Sequence, residues 1–259
     1  MDLQWLNQFP LFLLVVVRVL AFFTTMPLFT YRTIPATFKV GLGVFFAFII
    51  VFTIEPLELE MNSTYFLLIF KELLVGLSIG LLAAILIYAV QVAGMFLDIV
   101  FGFLVANVID PQTGAQSPLL GGYLYTFALL FLIVIDGHHL ILDGIYYSYE
   151  YIPVDQVFLP FGNEAVAVHI LESFSTMFMI AFQMSFPIVG SLFLVDIALG
   201  MMSRAVPQMN VFVVGLPLKI FVGLPLLMIS MPAFFMAVDN LFDETFSAMR
   251  TLMALLGGA

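Results

Sequence analysis

The sequence predicts an all-α membrane protein, and three observations carry that prediction. The chain of 259 residues is 63% hydrophobic and only 9% charged, with a mean hydropathy of +1.18. A soluble domain carries roughly 25% charged residues, so a fold surrounded by bulk water is excluded. Apolar runs approaching the ~20 residues of a spanning helix recur along the chain. Between them lie polar, nearly charge-free loops rich in Pro, Gly, Asn and Gln, residues that do not continue a helix cheaply.

Six segments meet the spanning criterion, at about residues 9–29, 40–54, 65–90, 119–135, 174–195 and 211–238. A further apolar stretch, 93–105, is too short and broken to count alone. Only the third and the last are long enough to tilt or kink. The last contains a short repeat, Val214-Gly215-Leu216-Pro217-Leu218 and Val222-Gly223-Leu224-Pro225-Leu226. Each proline deletes a backbone hydrogen bond, so two bends are expected. Beyond Asp239 the character changes. Phe242, Phe246, Met249, Met253 and Leu256 recur every three or four residues, giving an amphipathic C-terminal helix over 239–259. Its polar face, with Asp243, Glu244 and Arg250, is not rich in Lys and Arg as that of a membrane-surface helix is, so packing on a partner is expected. The start lacks a cationic leader region, so the first span is expected to be retained.

Charge narrows the function. Seventeen acids against seven Lys and Arg give a formal net charge of −10. No basic cluster exists to bind nucleic acid or dock electrostatically on anionic lipid. Zero cysteines remove disulfides, thiolate nucleophiles and Cys-held metals. The loop with Arg32 and Lys39 is the most basic, while the one with Glu55, Glu58 and Glu60 is purely acidic. Alternation then puts the Arg32/Lys39, Asp110 and Arg204 loops on the cytoplasmic side and both termini outside.

Two of these loops stand out: Asn107 to Pro118, and Ser203 to Asn210. Irregular backbone at membrane depth persists only where protein buries it or it lines a wet cavity. Charges within apolar stretches also need a reason, at about 2.5–3.5 kcal/mol each on insertion scales. They are Arg18, Lys71, Glu72, Asp98, Asp196 and Lys219. A proton or ion relay wants several acids or histidines at one depth on facing helices; these mixed signs near segment ends favour pairing between helices or between subunits. Gly76-Leu77-Ser78-Ile79-Gly80 with Ala83-Ala84 places small residues on one face, where another backbone can approach closely. His139 and Asp143 lie four apart beside Asp136 and His138, a spacing that zinc sites use. A third strong ligand is missing, so the preferred reading is a helix start with imidazoles at the interface, and no metal or other cofactor. No nucleophile elbow, phosphate loop or dinucleotide fingerprint occurs, and the chain is not expected to be an enzyme.

A resemblance then emerges. Lys71-Glu72 leading to Gly76 and Gly80, Asp110-Pro111, Asp136-Gly137-His138, and above all Gly200-x-x-Ser203-Arg204-x-x-Pro207-Gln208-x-Asn210-x-Phe212 followed by Gly215-x-Pro217-x-Lys219 resemble the FliR family. This is a flagellar export-apparatus family similar to the T component of virulence-type type III secretion systems. The resemblance spans nearly the whole chain up to about Pro232. It implies tilted, kinked helical hairpins rather than perpendicular spans, with a FliP-like part (1–173) and a FliQ-like hairpin (174–238), packed into a hetero-oligomeric export gate. The implied partners are FliP-like and FliQ-like subunits, an FlhB-like switch protein, unfolded flagellar substrates and the lipid of the cytoplasmic (inner) membrane at the basal body. The implied plug of the closed pore comprises Val105, Ile109, Asp110, Pro111, Gln112, Thr113, Gly114, Ser117, Pro118 and Leu119. Residues implied in subunit packing are Lys71, Glu72, Gly76, Gly80, Arg204, Pro207, Gln208, Asn210 and Lys219. A virulence-type T component is the alternative membership. A small-solute or ion transporter using Asp98, Asp196 and the kinked last span is the rival from another class.

Overall fold

The structure, a computed structural model, describes residues 4–30, 34–57, 59, 62–103, 118–208 and 210–258. It is 86% helical, and no strand occurs among the described residues. The described helices are α1 (Gln4–Thr25), α2 (Pro27–Thr30), α3 (Ala36–Val51), α4 (Ser63–Ile87), α5 (Ala89–Phe101), α6 (Leu119–Val134), α7 (Gly137–Tyr151), α8 (Glu164–Ala205) and α9 (Val211–Gly257).

Local chemistry explains where these helices begin and end. An asparagine precedes each of the three longest. The Asn62 Oδ1 accepts from the Thr64 and Tyr65 amides at 3.0 and 3.3 Å, Asn163 from Ala165 at 3.1 Å, and Asn210 from Phe212 and Val213 at 3.1 and 3.4 Å. Each satisfies amides that the first turn leaves without an intrahelical partner. Pro35 and Pro118 stand just before α3 and α6, with φ of −58° and −55°. Gly102 ends α5 at φ 82°, a left-handed conformation that glycine adopts without a Cβ penalty.

The chain divides into two units. The first comprises Met1–Leu86, Asp136–Phe174 and Asp243–Ala259. Here α1 packs on α3 and on α4. A Cβ placed on Gly76 would lie 2.3 Å from the Arg18 carbonyl oxygen, and one on Gly80 would lie 2.9 Å from that of Phe22. The small face of α4 is therefore the groove that receives α1. Leu14, Phe22, Met26, Ile79 and Leu82 fill this core. The end of α9 buries Met249, Leu252, Met253 and Leu256 in the same unit, and the Gly257 backbone lies against the Tyr151 carbonyl.

The second unit comprises Ile87–Ile135 and Ser175–Phe242. In it α5 packs on α6, with Tyr88 stacked on Tyr125 at 5.6 Å and a Gly94 Cβ placed only 2.2 Å from the Gly121 Cα. Helices α8 and α9 form a hairpin in this unit. Lys219 pairs with Asp196 at 2.6 Å, and Gly223 accommodates Phe101 and Leu192.

Among the described residues, four helical stretches are long and apolar enough to cross a membrane: Gln8–Thr25, Ser63–Phe101, Glu164–Ala205 and Val211–Gly257. Helices α6 and α7 qualify only together, as a broken pair. This revises the six spans expected from hydropathy. Helix α3 has 16 residues, about 24 Å at 1.5 Å per residue, short of a ~30 Å hydrocarbon core. The fifth expected segment is the centre of a 42-residue helix that starts at Glu164. The tail is not a separate helix: α9 runs 47 residues through Pro217, Pro225 and Pro232. Its apolar face finds its partner within the chain.

Candidate functional site

Most of the expected plug, namely Val105, Ile109, Asp110, Pro111, Gln112, Thr113, Gly114 and Ser117, lies outside the described residues. Its flanks are described. Pro118 introduces α6, Leu119 is half exposed and Leu120 is buried. Proline has no side-chain acceptor to cap the helix it precedes. That role falls to Asp98 on α5, 1% exposed, which accepts the Leu120 and Gly121 amides at 3.0 and 3.3 Å. A carboxylate on unsatisfied N–H groups at a helix start gains both hydrogen bonds and the favourable end of the helix dipole. With the Gly94–Gly121 contact, this ties the two described flanks of residues 104–117 together.

The buried charges of the first unit form one closed network. Arg18 and Glu72 are fully buried and Lys71 is 3% exposed. The Arg18 guanidinium has five N–H donors, and all are used. Nε and Nη2 reach the two Glu72 carboxylate oxygens, Nη1 donates to the Ser148 carbonyl and hydroxyl at 2.9 and 3.0 Å, and Nη2 donates to the Ile152 carbonyl at 2.9 Å. The three Lys71 donors go to Glu72 and to the carbonyls of Pro153 and Val154, the latter at 3.0 and 3.1 Å. The guanidinium also lies 4.0 Å from the centre of the Tyr149 ring. Two cations against one carboxylate leave an excess positive charge. The C-terminal end of α7 offsets it, because its last carbonyls lack helical partners and carry the negative end of the dipole. Lys71, Glu72, Gly76 and Gly80, expected in subunit packing, are all turned to contacts within their own chain.

The Ser203–Asn210 turn has the opposite character. Arg204, Pro207, Gln208 and Asn210 are exposed on the connection between α8 and α9. Asn210 caps α9 and Ser203 Oγ donates to the Gly200 carbonyl at 2.8 Å. Among the described residues the Arg204 and Gln208 side chains make no hydrogen bond or ion pair. Lys219 is held by Asp196, as noted above.

At the start of α7, Asp136, His138 and His139 each place a ligand atom within 4.8 Å of the others. Asp143 is not part of that group; the upstream Asp136 takes the place that spacing had given it.

Sequence reasoning missed Asp98 as a cap, and Ser148, Tyr149 and Ile152 as partners of the buried charges. The Pro153 that follows α7 was the available signal, since it marks a helix end with orphaned carbonyls.

Comparison with known proteins fits these features. The family model for bacterial export proteins, family 1, matches residues 9–245. The chain is 56% identical to the flagellar biosynthetic protein FliR of Bacillus subtilis (strain 168) over 253 residues, covering 97% of this chain and 98% of that protein. It is 26% identical to FliR of Escherichia coli (strain K12) over 254 residues, 98% and 96% of the two chains. It is 30% identical to the secretion system apparatus protein SsaT of Salmonella typhimurium over 165 residues, 64% and 63% of the two chains. An all-helical membrane fold, the Ser-Arg-x-x-Pro-Gln-x-Asn turn and full-length similarity converge: the chain belongs to the FliR family of bacterial export proteins.

Proposed function

We propose that this component of the flagellar type III export apparatus is a non-enzymatic part of the export gate. It assembles with FliP-like and FliQ-like subunits, and with an FlhB-like switch protein nearby, around a channel for unfolded flagellar subunits in the cytoplasmic membrane. Residues 105–119 plug the closed channel. The observation that carries this reading is apolar surface that the chain leaves uncovered on its longest helices. Only 22% of the most apolar window of α8 and 11% of that of α9 is buried. Phe212 is 83% exposed and Phe221 79%. A contiguous apolar surface of this kind marks a protein or lipid interface, and the exposed polar turn between the two helices favours protein over lipid along that edge.

The transporter reading has lost its acids. Asp98 is committed to two amides and Asp196 to Lys219. A flagellar rather than virulence-type assignment is favoured by the similarity to FliR over the full chain.

The test is deletion of residues 110–118 in the assembled complex, followed by conductance measurement in planar bilayers. Leakage rises while FliP-like and FliQ-like partners still co-purify. Unchanged conductance in the intact assembly removes the plug role; lost co-purification removes the claim that this loop is dispensable for assembly.

A further inference from the structure

We infer that Asp136, His138 and His139 form a site for a divalent transition-metal ion of the zinc class, at the start of α7. Three observations meet there. The ligand atoms of the three side chains all lie within 4.8 Å of one another, with His139 Nδ1 3.8 Å from Asp136 Oδ1. Tetrahedral coordination at 2.0–2.1 Å sets donors about 3.3 Å apart, so the donors need draw together by no more than about 1.5 Å to hold an ion.

The second observation is a nitrogen without a partner. His138 Nδ1 is shielded from solvent and makes no hydrogen bond. Buried polar atoms are ordinarily satisfied, so this one calls for a partner. The third concerns Asp136 itself. It occupies the position before the helix, where an aspartate normally accepts an amide of the first turn. Here no side-chain cap bond forms, and the residue is held at φ 57°. The carboxylate is thereby left facing the imidazoles, whose rings are 4.1 Å apart.

Two imidazoles and one carboxylate suit Zn²⁺, Co²⁺ or Ni²⁺, with water completing the shell, and do not suit Ca²⁺ or Mg²⁺, which want oxygen. The positive end of the helix dipole disfavours a cation here, and the Asp136 charge offsets it. A bound ion would fasten the first turn of α7 to the residue at which the chain breaks between α6 and α7. This inference is independent of the export-gate reading.

The test uses the full chain purified without a polyhistidine tag, together with its co-purifying partners, and stripped with chelator. Titration with Co²⁺ is followed by ligand-field absorption and by competition with Zn²⁺. One saturable equivalent per chain, displaced by Zn²⁺ and not by excess Mg²⁺, is expected. His139→Ala and Asp136→Asn change exposed side chains and should each weaken binding at least tenfold. His169→Ala serves as control, because His169 Nε2 already contacts the Ala248 carbonyl elsewhere. Absence of saturable binding, or binding unchanged in both His139→Ala and Asp136→Asn, overturns the site.

Discussion

Replacing Glu72 by glutamine probes the buried network at its centre. The substitution preserves volume but exchanges a carboxylate accepting from Arg18 and Lys71 for an amide that brings donors of its own. Both cations then remain buried without the carboxylate they share, and the guanidinium faces an NH₂ group. Removing one partner of a buried ion pair costs about 3–5 kcal/mol. For a chain of this size each kcal/mol moves the melting temperature by about 2–4 °C, so Glu72→Gln should lower it by roughly 10 °C. The readout is thermal unfolding of the partner-bound chain in detergent, alongside its steady-state amount in membranes. Lys71→Met added to Glu72→Gln removes one stranded cation and should recover part of the loss. A melting temperature within about 2 °C of wild type for Glu72→Gln would refute the reasoning, because the carboxylate would then contribute no more than an exposed ion pair.

Arg18→Lys keeps the charge but forfeits the planar five-donor fork, so it should destabilise by about 2 kcal/mol or more in the same melt. Asp98→Asn retains one acceptor but loses the charge at the start of α6; bilayer recordings of the assembled complex should show raised leak with assembly intact. Gly76→Leu drives a side chain into the Arg18 carbonyl, and the chain should fail to accumulate in membranes, as judged by immunoblot. Arg204→Ala should leave the melting temperature unchanged while reducing co-purification of FliP-like and FliQ-like subunits and swimming; intact co-purification would remove its role in assembly.

How much of this could be read from the chain alone depended on whether the signal was local. The small-residue face from Gly76 to Ala84 signalled a close backbone approach, and α1 makes it. Arg18, Lys71 and Glu72 were expected to pair between helices or subunits rather than form a relay; Arg18 pairs with Glu72 across α1 and α4, while Lys71 pairs with Glu72 on its own helix. Spans were less legible. Hydropathy reports whether a residue avoids water, and a helix covered by its own chain scores the same as one covered by lipid. Hence the tail reads as wanting another protein for a face that is buried in the first unit, whereas α3, with Phe38, Phe45 and Phe48 exposed, falls short of a span by length alone. The Asn caps at 62, 163 and 210 were available as start signals, and Asn163 would have moved the fifth segment ten residues upstream. The Asp98 cap had no such signal, since it bridges 22 positions of sequence across residues 104–117. Residues 105–117 lie outside the described residues, and the plug proposed for them rests on the family likeness.

The discontinuity of the first unit bears on how the molecule is made. Arg18 emerges from the ribosome early, yet Ser148 and Ile152, which complete its hydrogen bonds, are synthesised much later, and the stretch carrying Met249, Leu252 and Leu256 later still. A nascent chain that has reached α4 can therefore offer Arg18 the Glu72 carboxylate but not the three acceptors at Ser148 and Ile152, and its apolar face is still unroofed. The opening helices stay incompletely satisfied until translation supplies the late segments, so a truncated chain forfeits the core of the first unit as well as its own tail.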